Sequence, residues 1–328
     1  MNGKPKVLVL TPVYNESAGL DAYEASVREV LLARADCDIS VLFIEDGSDD
    51  DSWGRICALA ARDGRFRGIR LSRNYGSHIA LSAGFANIGD ADAVATLACD
   101  LQDPPDVVSR FIDVWTTGAD IVWGKRISRA ESSFRVWTSK VFERLIRRFA
   151  MPRGSHFTTG SFLLVDRRVA DCFARFQEQN RVTFALVAWT GFNEAVVEYH
   201  REPRRSGVSG WTYTRMVKTM YDTFIGFSVL PIRLMTITGV VVSLLTVPII
   251  GYLVIRKLTG QPLLGWTSVM LGVTVFSGLQ FLMMGIVGEY LYRIYAEVVR
   301  RPLYFVSDTT ATEAGMRVRR DSAEHIAR

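Results

Sequence analysis

An α/β domain with a mostly parallel sheet and helices on both faces is the fold the sequence predicts. An amphipathic interfacial helix and a two-helix membrane hairpin are expected to follow it. Three observations predict this architecture. Between residues 6 and 124 short β-rich runs alternate with helix-type spacing, the pattern of βαβ units. Residues 213, 216, 217, 220, 221, 224 and 225 are apolar, with Arg215, Lys218 and Asp222 between them, which is one apolar helix face and one polar one. Residues 234–255 and 263–288 carry no charge, and each run is long enough to cross about 30 Å of hydrocarbon.

The elements follow in order. Strands are expected at 7–10, 39–44, 69–71, 94–99 and 121–123, where β-branched and other apolar residues run between polar clusters. Helical spacing occupies 20–33, 52–62, 78–87 and 105–115. Lys4 and Lys6 before residues 7–10 superficially suggest a signal peptide, but the apolar run is too short and Asn15-Glu16 interrupts it. The first domain is therefore expected to stay in the cytoplasm. Beyond residue 124, a helix over 132–149, a loop over 154–159 and an apolar run at 162–165 are expected, followed by a basic, glycine-containing loop at 201–210.

The formal charge is +5, from 39 Lys and Arg against 34 Asp and Glu, and the basic residues form no blocks. Nucleic acid is not an expected partner. Cys37, Cys57, Cys99 and Cys172 lie far apart with no C-x-x-C pair, so neither a zinc site nor a disulfide framework is indicated.

Chemistry points to the strand ends, because ligands of open α/β sheets bind at the carboxyl ends of strands. Neither G-x-G-x-x-G after the first strand nor G-x-x-x-x-G-K-[ST] is present, so the dinucleotide and P-loop fingerprints are absent. Each strand end instead carries its own polar cluster: Thr11 to Glu16, Glu45 to Asp50, and Asp100 to Asp103. Acidic groups along one edge repel one another unless a cation or hydrogen bonds compensate them. Asp100, Gln102 and Asp103 offer the hard oxygens that Mg²⁺ and Mn²⁺ prefer. Asp103 before Pro104 equally suits a helix N-cap, and both readings stand at this point.

Five motifs in this order narrow the choice. They are P-x-Y-N-E at 12–16, an acid followed by D-G-S-x-D at 45–50, R-N-Y-G at 73–76, D-L-Q-D-P-P at 100–105 and G-K-R at 124–126. The set resembles the family 2 glycosyltransferases with a GT-A fold. R-x-x-G-x-S-G-W at 204–211, the two apolar runs and R-P-L-Y at 301–304 extend the resemblance to the polyprenyl-phosphate glycosyltransferases, relatives of dolichol-phosphate mannose synthase and bactoprenol glucosyltransferase.

That resemblance implies inverting transfer of a sugar from a nucleoside-diphosphate sugar, a UDP-sugar by preference, to polyprenyl (undecaprenyl) phosphate, for modification of cell-envelope glycans. It implies Mg²⁺ or Mn²⁺ held by Asp100 and Gln102, with Asp103 left to the helix cap. Donor contacts fall to Pro12, Tyr14, Glu16, Asp46 and Asp100. Arg126, Arg135 and Ser139 are expected at the acceptor phosphate and the diphosphate, acting in catalysis with Asp100, while Arg204 and Ser209 close over the acceptor. Trp189, Trp211 and Tyr213 are expected as interface and core aromatics. The sequence departs from the family pattern at three places. Ala98 replaces the first acid of D-x-D-L-Q, Gly160-Ser161-Phe162-Leu163-Leu164 replaces G-D-F-R-L, and Val208 and Gly210 stand where lysines are frequent. A processive polysaccharide synthase is the alternative enzyme, disfavoured because 178–182 reads E-Q-N-R-V in place of Q-x-x-R-W. A membrane-anchored pseudoenzyme is the non-catalytic alternative.

The expected divisions are a cytoplasmic catalytic domain over 1–210, a juxtamembrane helix over 211–231, the two spans within 232–290, and a C-terminal segment over 291–328 with a polar, disordered tail from 307. Basic residues cluster before the first span and after the second, against only Arg256 and Lys257 in an expected turn at 256–262. The positive-inside rule then places both termini of a multi-pass inner (plasma) membrane protein in the cytoplasm. Pro248 within the first span is expected to be relieved by Thr246 or a neighbouring helix. Gly272, Gly278, Gly285 and Gly288 allow close packing of the second span, including a homo-oligomer through the spans.

Overall fold

A computed structural model describes residues 3–127, 160–179, 181–201, 230–259 and 265–310. The expected helices at 132–149 and 213–225, the loop at 154–159 and the tail beyond 310 lie outside the described residues.

Five βα-type strands come first: β1 (Lys6–Val13), β2 (Asp38–Glu45), β3 (Phe66–Leu71), β4 (Ala93–Thr96) and β5 (Ile121–Arg126). Between them lie α1 (Leu20–Val30), α2 (Ser52–Arg62), α3 (Ser77–Phe85) and α4 (Pro105–Thr116). Then come β6 (Leu163–Asp166), α5 (Arg167–Arg175), α6 (Thr183–Trp189) and β7 (Glu194–Tyr199). Two long helices follow, α7 (Leu230–Leu258) and α8 (Trp266–Val299), and a last strand, β8 (Val306–Thr309).

The eight strands form one sheet in the order β7-β5-β6-β4-β1-β2-β3-β8. β1 pairs in parallel with both β2 and β4, and β5 pairs in parallel with β7. β6, inserted antiparallel between β4 and β5, restores the common direction. Six strands therefore end on one edge, and only β6 and β8 run the other way. The chain moves to opposite sides of β1 on passing to β2 and to β4, so a switch point opens between the ends of β1 and β4.

Strand residues alternate between two cores, as a pleated sheet covered on both faces requires. Leu8, Leu10, Leu42, Ile44 and Val94 face α3, α5 and α6 with Phe85 and Phe173. Val7, Val9, Val41, Phe43, Ala93 and Ala95 face α1, α2 and α4 with Tyr23, Phe66 and Phe111. Cys37 and Cys99 are buried among these apolar groups, whereas Cys57 and Cys172 are half-buried.

Several boundaries differ from expectation. β4 stops at Thr96 instead of residue 99. Leu97 N–H still bonds the Leu10 carbonyl at 3.0 Å, after which Leu101 at φ 52° turns the chain out of the sheet. The expected tail from 307 contains part of β8, whose pairing with β3 is antiparallel. Residues 167–175, 183–189 and 194–199 form further elements, beyond those expected from periodicity. α7 continues through Arg256 and Lys257 to Leu258, where a turn was expected. The Thr246 hydroxyl donates to the Val242 carbonyl at 2.8 Å, so it does not serve Leu244, whose carbonyl Pro248 leaves without its helical donor.

α7 and α8 are long and apolar enough to cross a membrane, with mean hydropathies of 1.9 over Pro231–Ile249 and 1.3 over Gly272–Val299. Nothing in either window is buried in the protein. Leu244, Val247 and Phe281 are 66%, 67% and 72% exposed, which removes the reading as core helices of a soluble protein. At 1.5 Å per residue the 34 residues of α8 run to about 51 Å, well beyond one hydrocarbon thickness. The surplus begins where charge returns, at Glu289 and Arg293, paired at 2.9 Å.

Candidate active site

The first two strand ends are laced together by backbone-to-side-chain bonds. Asn15, itself at φ 54°, donates its N–H to the Ser48 hydroxyl at 3.0 Å, and its side-chain oxygen accepts from Asp49 N–H at 2.9 Å. Glu16 N–H reaches the Ser52 hydroxyl and Ser17 N–H reaches Asp50. Burial works against the charge of Asp50, but the Ser52 and Ser17 donors outweigh it and hold the carboxyl below its usual range. Pro12 and Glu16 are half-buried on this edge, while the Tyr14 ring is 43% exposed.

Asp46, buried at the end of β2, bonds Tyr75 N–H through one oxygen and Gly76 N–H through the other, each at 2.8 Å. Burial raises its pKa above the ordinary carboxylate value despite these donors. The D-G-S turn and the R-N-Y-G loop are thus one unit. Gly47, at φ +68°, lies so close to the second loop that a Cβ there would fall 2.4 Å from the Arg73 carbonyl carbon. Glu45 beside it is fully buried, with Arg70 Nε at 2.9 Å.

Just after β4, Gln102 N–H closes a turn onto one Asp100 oxygen at 3.2 Å. Thr96, the last residue of β4, accepts from Leu163 N–H at 3.1 Å and donates to the Ser161 carbonyl. This places the G-S-F-L-L segment beside the D-L-Q turn. Asp103 does not cap α4: Pro104 is the N-cap residue, with no side-chain cap bond. Asp103 turns inward instead, where Tyr199 donates its hydroxyl to it at 2.5 Å and Arg126 and Arg201 stand at 3.8 and 3.5 Å.

Arg126 ends β5, within the G-K-R motif. Gly124 of that motif touches Phe162, and an added Cβ would sit 2.7 Å from its ring. Burial opposes the charge of Arg126, yet Asp103 and Tyr199 keep its pKa above the ordinary arginine value. Arg135, Ser139, Arg204 and Ser209 lie outside the described residues. Trp189 is 52% exposed at the end of α6 and is not a core aromatic of the domain.

Pro12, Tyr14, Glu16, Asp46, Asp100, Gln102 and Arg126 therefore all sit on one sheet edge. The repulsion expected among its acids is relieved largely from within: Glu45, Asp46, Asp50 and Asp103 each have protein partners. Among the described residues no cluster of three His, Cys, Asp or Glu side chains forms a metal cage. One carboxylate and one amide in the Asp100–Gln102 turn fit a Mg²⁺ or Mn²⁺ that completes its shell with water and substrate phosphate oxygens. They do not fit a closed zinc site. Sequence reasoning missed Thr96 and Tyr199, and it placed Arg201 only as the first residue of the basic loop expected at 201–210. The β-rich run E-A-V-V-E-Y at 194–199 was the available sign of the strand that brings Tyr199 to the edge.

Strand-end loops of this kind on a mostly parallel sheet, in this motif order, define a glycosyltransferase. The chain belongs to glycosyl transferase family 2, whose pattern matches residues 8–174. The glycosyltransferase sll0501 of Synechocystis is 34% identical over 93% of this chain and 96% of its own length. A prophage-derived bactoprenol glucosyl transferase of Shigella flexneri is 30% identical, covering 92% and 97%. Among solved structures, the glucosyl-3-phosphoglycerate synthase of Mycobacterium tuberculosis, in complex with Mn²⁺, uridine-diphosphate-glucose and phosphoglyceric acid, is 16% identical with a TM-score of 0.45 over 68% of this chain and 78% of that one.

Proposed function

We propose that the enzyme transfers a sugar from a nucleoside-diphosphate sugar to a polyprenyl phosphate at the cytoplasmic face of the inner membrane. One observation carries the reading. The sheet that bears the site also contains β8, the strand that follows the two apolar helices, so the chain leaves and re-enters one domain around a membrane hairpin. A water-soluble donor and a lipid acceptor then meet at a single edge. Relatives named bactoprenol glucosyl transferases, alignable over 92% of the chain, support the acceptor class. An even number of crossings returns the chain to the side it left, which together with the basic flanks supports both termini on the cytoplasmic side.

In this reading the P-x-Y-N-E and D-G-S loops receive the nucleoside, with Pro12, Tyr14 and Glu16 along the cleft. Asp46 acts there by holding Tyr75 and Gly76 in place. Asp100 and Gln102 would hold a Mg²⁺ or Mn²⁺, which when bound would neutralise charge on the departing diphosphate. The acceptor is already an anion, so its phosphate oxygen bonds the anomeric carbon as the bond to the diphosphate breaks, and the configuration inverts. Little deprotonation is needed, and Ser161 in place of an acid is compatible with that economy. Positioning and charge stabilisation carry the step. These fall to Arg126, with Arg135 and Ser139, while Arg204 and Ser209 close over the lipid phosphate. Arginine suits the task because its planar fork binds phosphate oxygens in pairs.

The test is a panel of nucleotide sugars offered to purified protein with Mg²⁺ or Mn²⁺ and undecaprenyl phosphate, with the lipid product identified by mass. A polyprenyl-phosphate sugar from one donor is the expected result. Donor binding with no lipid-linked product across the panel would overturn the reading.

A further inference from the structure

One carboxylate on the site edge has more partners than its place in the motif requires. Asp103 is 6% exposed at its side chain, whereas the Arg126 and Arg201 side chains around it are 44% and 38% exposed. The acid therefore sits inside and the two cations outside. Between them lies Tyr199, whose hydroxyl donates to Asp103 Oδ1 at 2.5 Å and accepts from Arg126 Nε at 3.2 Å. The direction is forced, because a carboxylate can only accept and a guanidinium can only donate. The ring is fixed as well: it packs edge-on against Phe162 at 5.2 Å, and Tyr199 stands opposite Arg126 in the β5–β7 register.

Three elements meet at this carboxylate. Asp103 follows the D-L-Q turn, Arg126 ends the G-K-R strand, and Arg201 begins the segment that leads to Arg204 and Ser209. Two arginines on one carboxylate leave a net positive charge facing outward, which suits a phosphate anion. Burial and the neighbouring Asp103 both raise the Tyr199 pKa, so its proton stays in place as the bridge.

We propose that Asp103 and Tyr199 form a positioning pair that aims Arg126 and Arg201 at the phosphate of the acceptor lipid. The inference rests on the acceptor assignment above. Neither residue touches substrate; both act through the arginines.

The test uses the full-length protein in detergent or nanodiscs, with farnesyl phosphate and UDP as binding probes and undecaprenyl phosphate as acceptor. Tyr199→Phe keeps the ring and removes the bridge, and Asp103→Asn is the second variant. The expected result is an acceptor KM and a farnesyl phosphate Kd raised about tenfold, the loss of roughly one charge-assisted hydrogen bond. UDP affinity and the melting temperature of Tyr199→Phe should stay at wild-type values. An acceptor KM unchanged in both variants would overturn the pair, as would a loss of UDP affinity equal to the loss of farnesyl phosphate affinity. A wild-type enzyme that forms no lipid-linked sugar would instead refute the acceptor assignment on which the pair depends.

Discussion

Gly47 and Arg73 belong to different strand ends, yet their backbones approach so closely that no side chain fits between them. A Cβ on Gly47 would lie 2.4 Å from the Arg73 carbonyl carbon, and the glycine's φ of +68° is itself unfavourable for other residues. Gly47→Ala should destabilise the protein by about 2–4 kcal/mol through overpacking and backbone strain. It should also weaken UDP binding, because Asp46 and the 73–76 loop move with it. Thermal unfolding and UDP titration of the same preparation check both parts; a fully stable Gly47→Ala protein would contradict the packing.

His78 gives the domain a pH dependence. It is half-buried at the start of α3, with Thr183 Oγ at 3.2 Å from Nδ1, and burial pulls its pKa from 6.5 down to about 4. The unfolded chain therefore takes up this proton more readily than the folded one. Stability from this group is complete above pH 6.5 and is lost as pH falls towards 4, a change on the order of 3 kcal/mol. His78→Gln should flatten that part of the stability curve, measured by denaturant unfolding between pH 4 and 7.

Asp100→Ala should lower metal-dependent transfer by at least about a hundredfold, since it removes the sole carboxylate assigned to the cation. Gln102→Ala should be milder and should raise the metal concentration needed for half-maximal rate. Electron paramagnetic resonance of Mn²⁺ with UDP offers a readout separate from turnover. Unchanged Mn²⁺ affinity in Asp100→Ala would remove Asp100 from the metal site.

The contribution of β8 to the sheet is testable separately from the contacts that join the domain to α8. Gln179 N–H bonds Glu297 Oε1 at 2.7 Å, and the Gln179 amide bonds the Arg301 carbonyl at 2.9 Å. A chain ending at residue 305 keeps both contacts and loses β8. It should melt lower and aggregate more readily, because β3 becomes an open edge. Size-exclusion profiles and melting curves against the intact chain are the measurement, and identical behaviour would argue that β8 contributes little.

Much of this molecule was legible in the chain. The first five strands, the four helices between them and both long apolar helices follow from periodicity and from the absence of charge, signals that depend on local spacing. The strand-end motifs likewise carried Asp100, Gln102 and Arg126 to one edge. What escaped was non-local. Asp103 before two prolines reads as a cap in one dimension, and only the pairing of β5 with β7 brings Tyr199 and Arg201 to it. Thr96 looked like one more residue of an apolar run, but the antiparallel insertion of β6 makes it the anchor of residues 161–163. β8 is four residues long and mostly exposed, with a composition no different from a tail. Its partner strand lies more than two hundred residues earlier in the chain.

That distance has a bearing on how the protein is made. β3 leaves the ribosome long before β8, and everything between them, including both apolar helices, must be synthesised first. During that interval the nascent domain presents an unfinished sheet margin, the kind of surface that chaperones recognise and that strays into wrong pairings. The margin is closed by a strand that arrives only once the hairpin has been made. Completion of the catalytic sheet therefore waits on the synthesis of both apolar helices, and in the proposed membrane arrangement a chain whose hairpin fails to insert would carry its glycosyltransferase domain in a recognisably incomplete form.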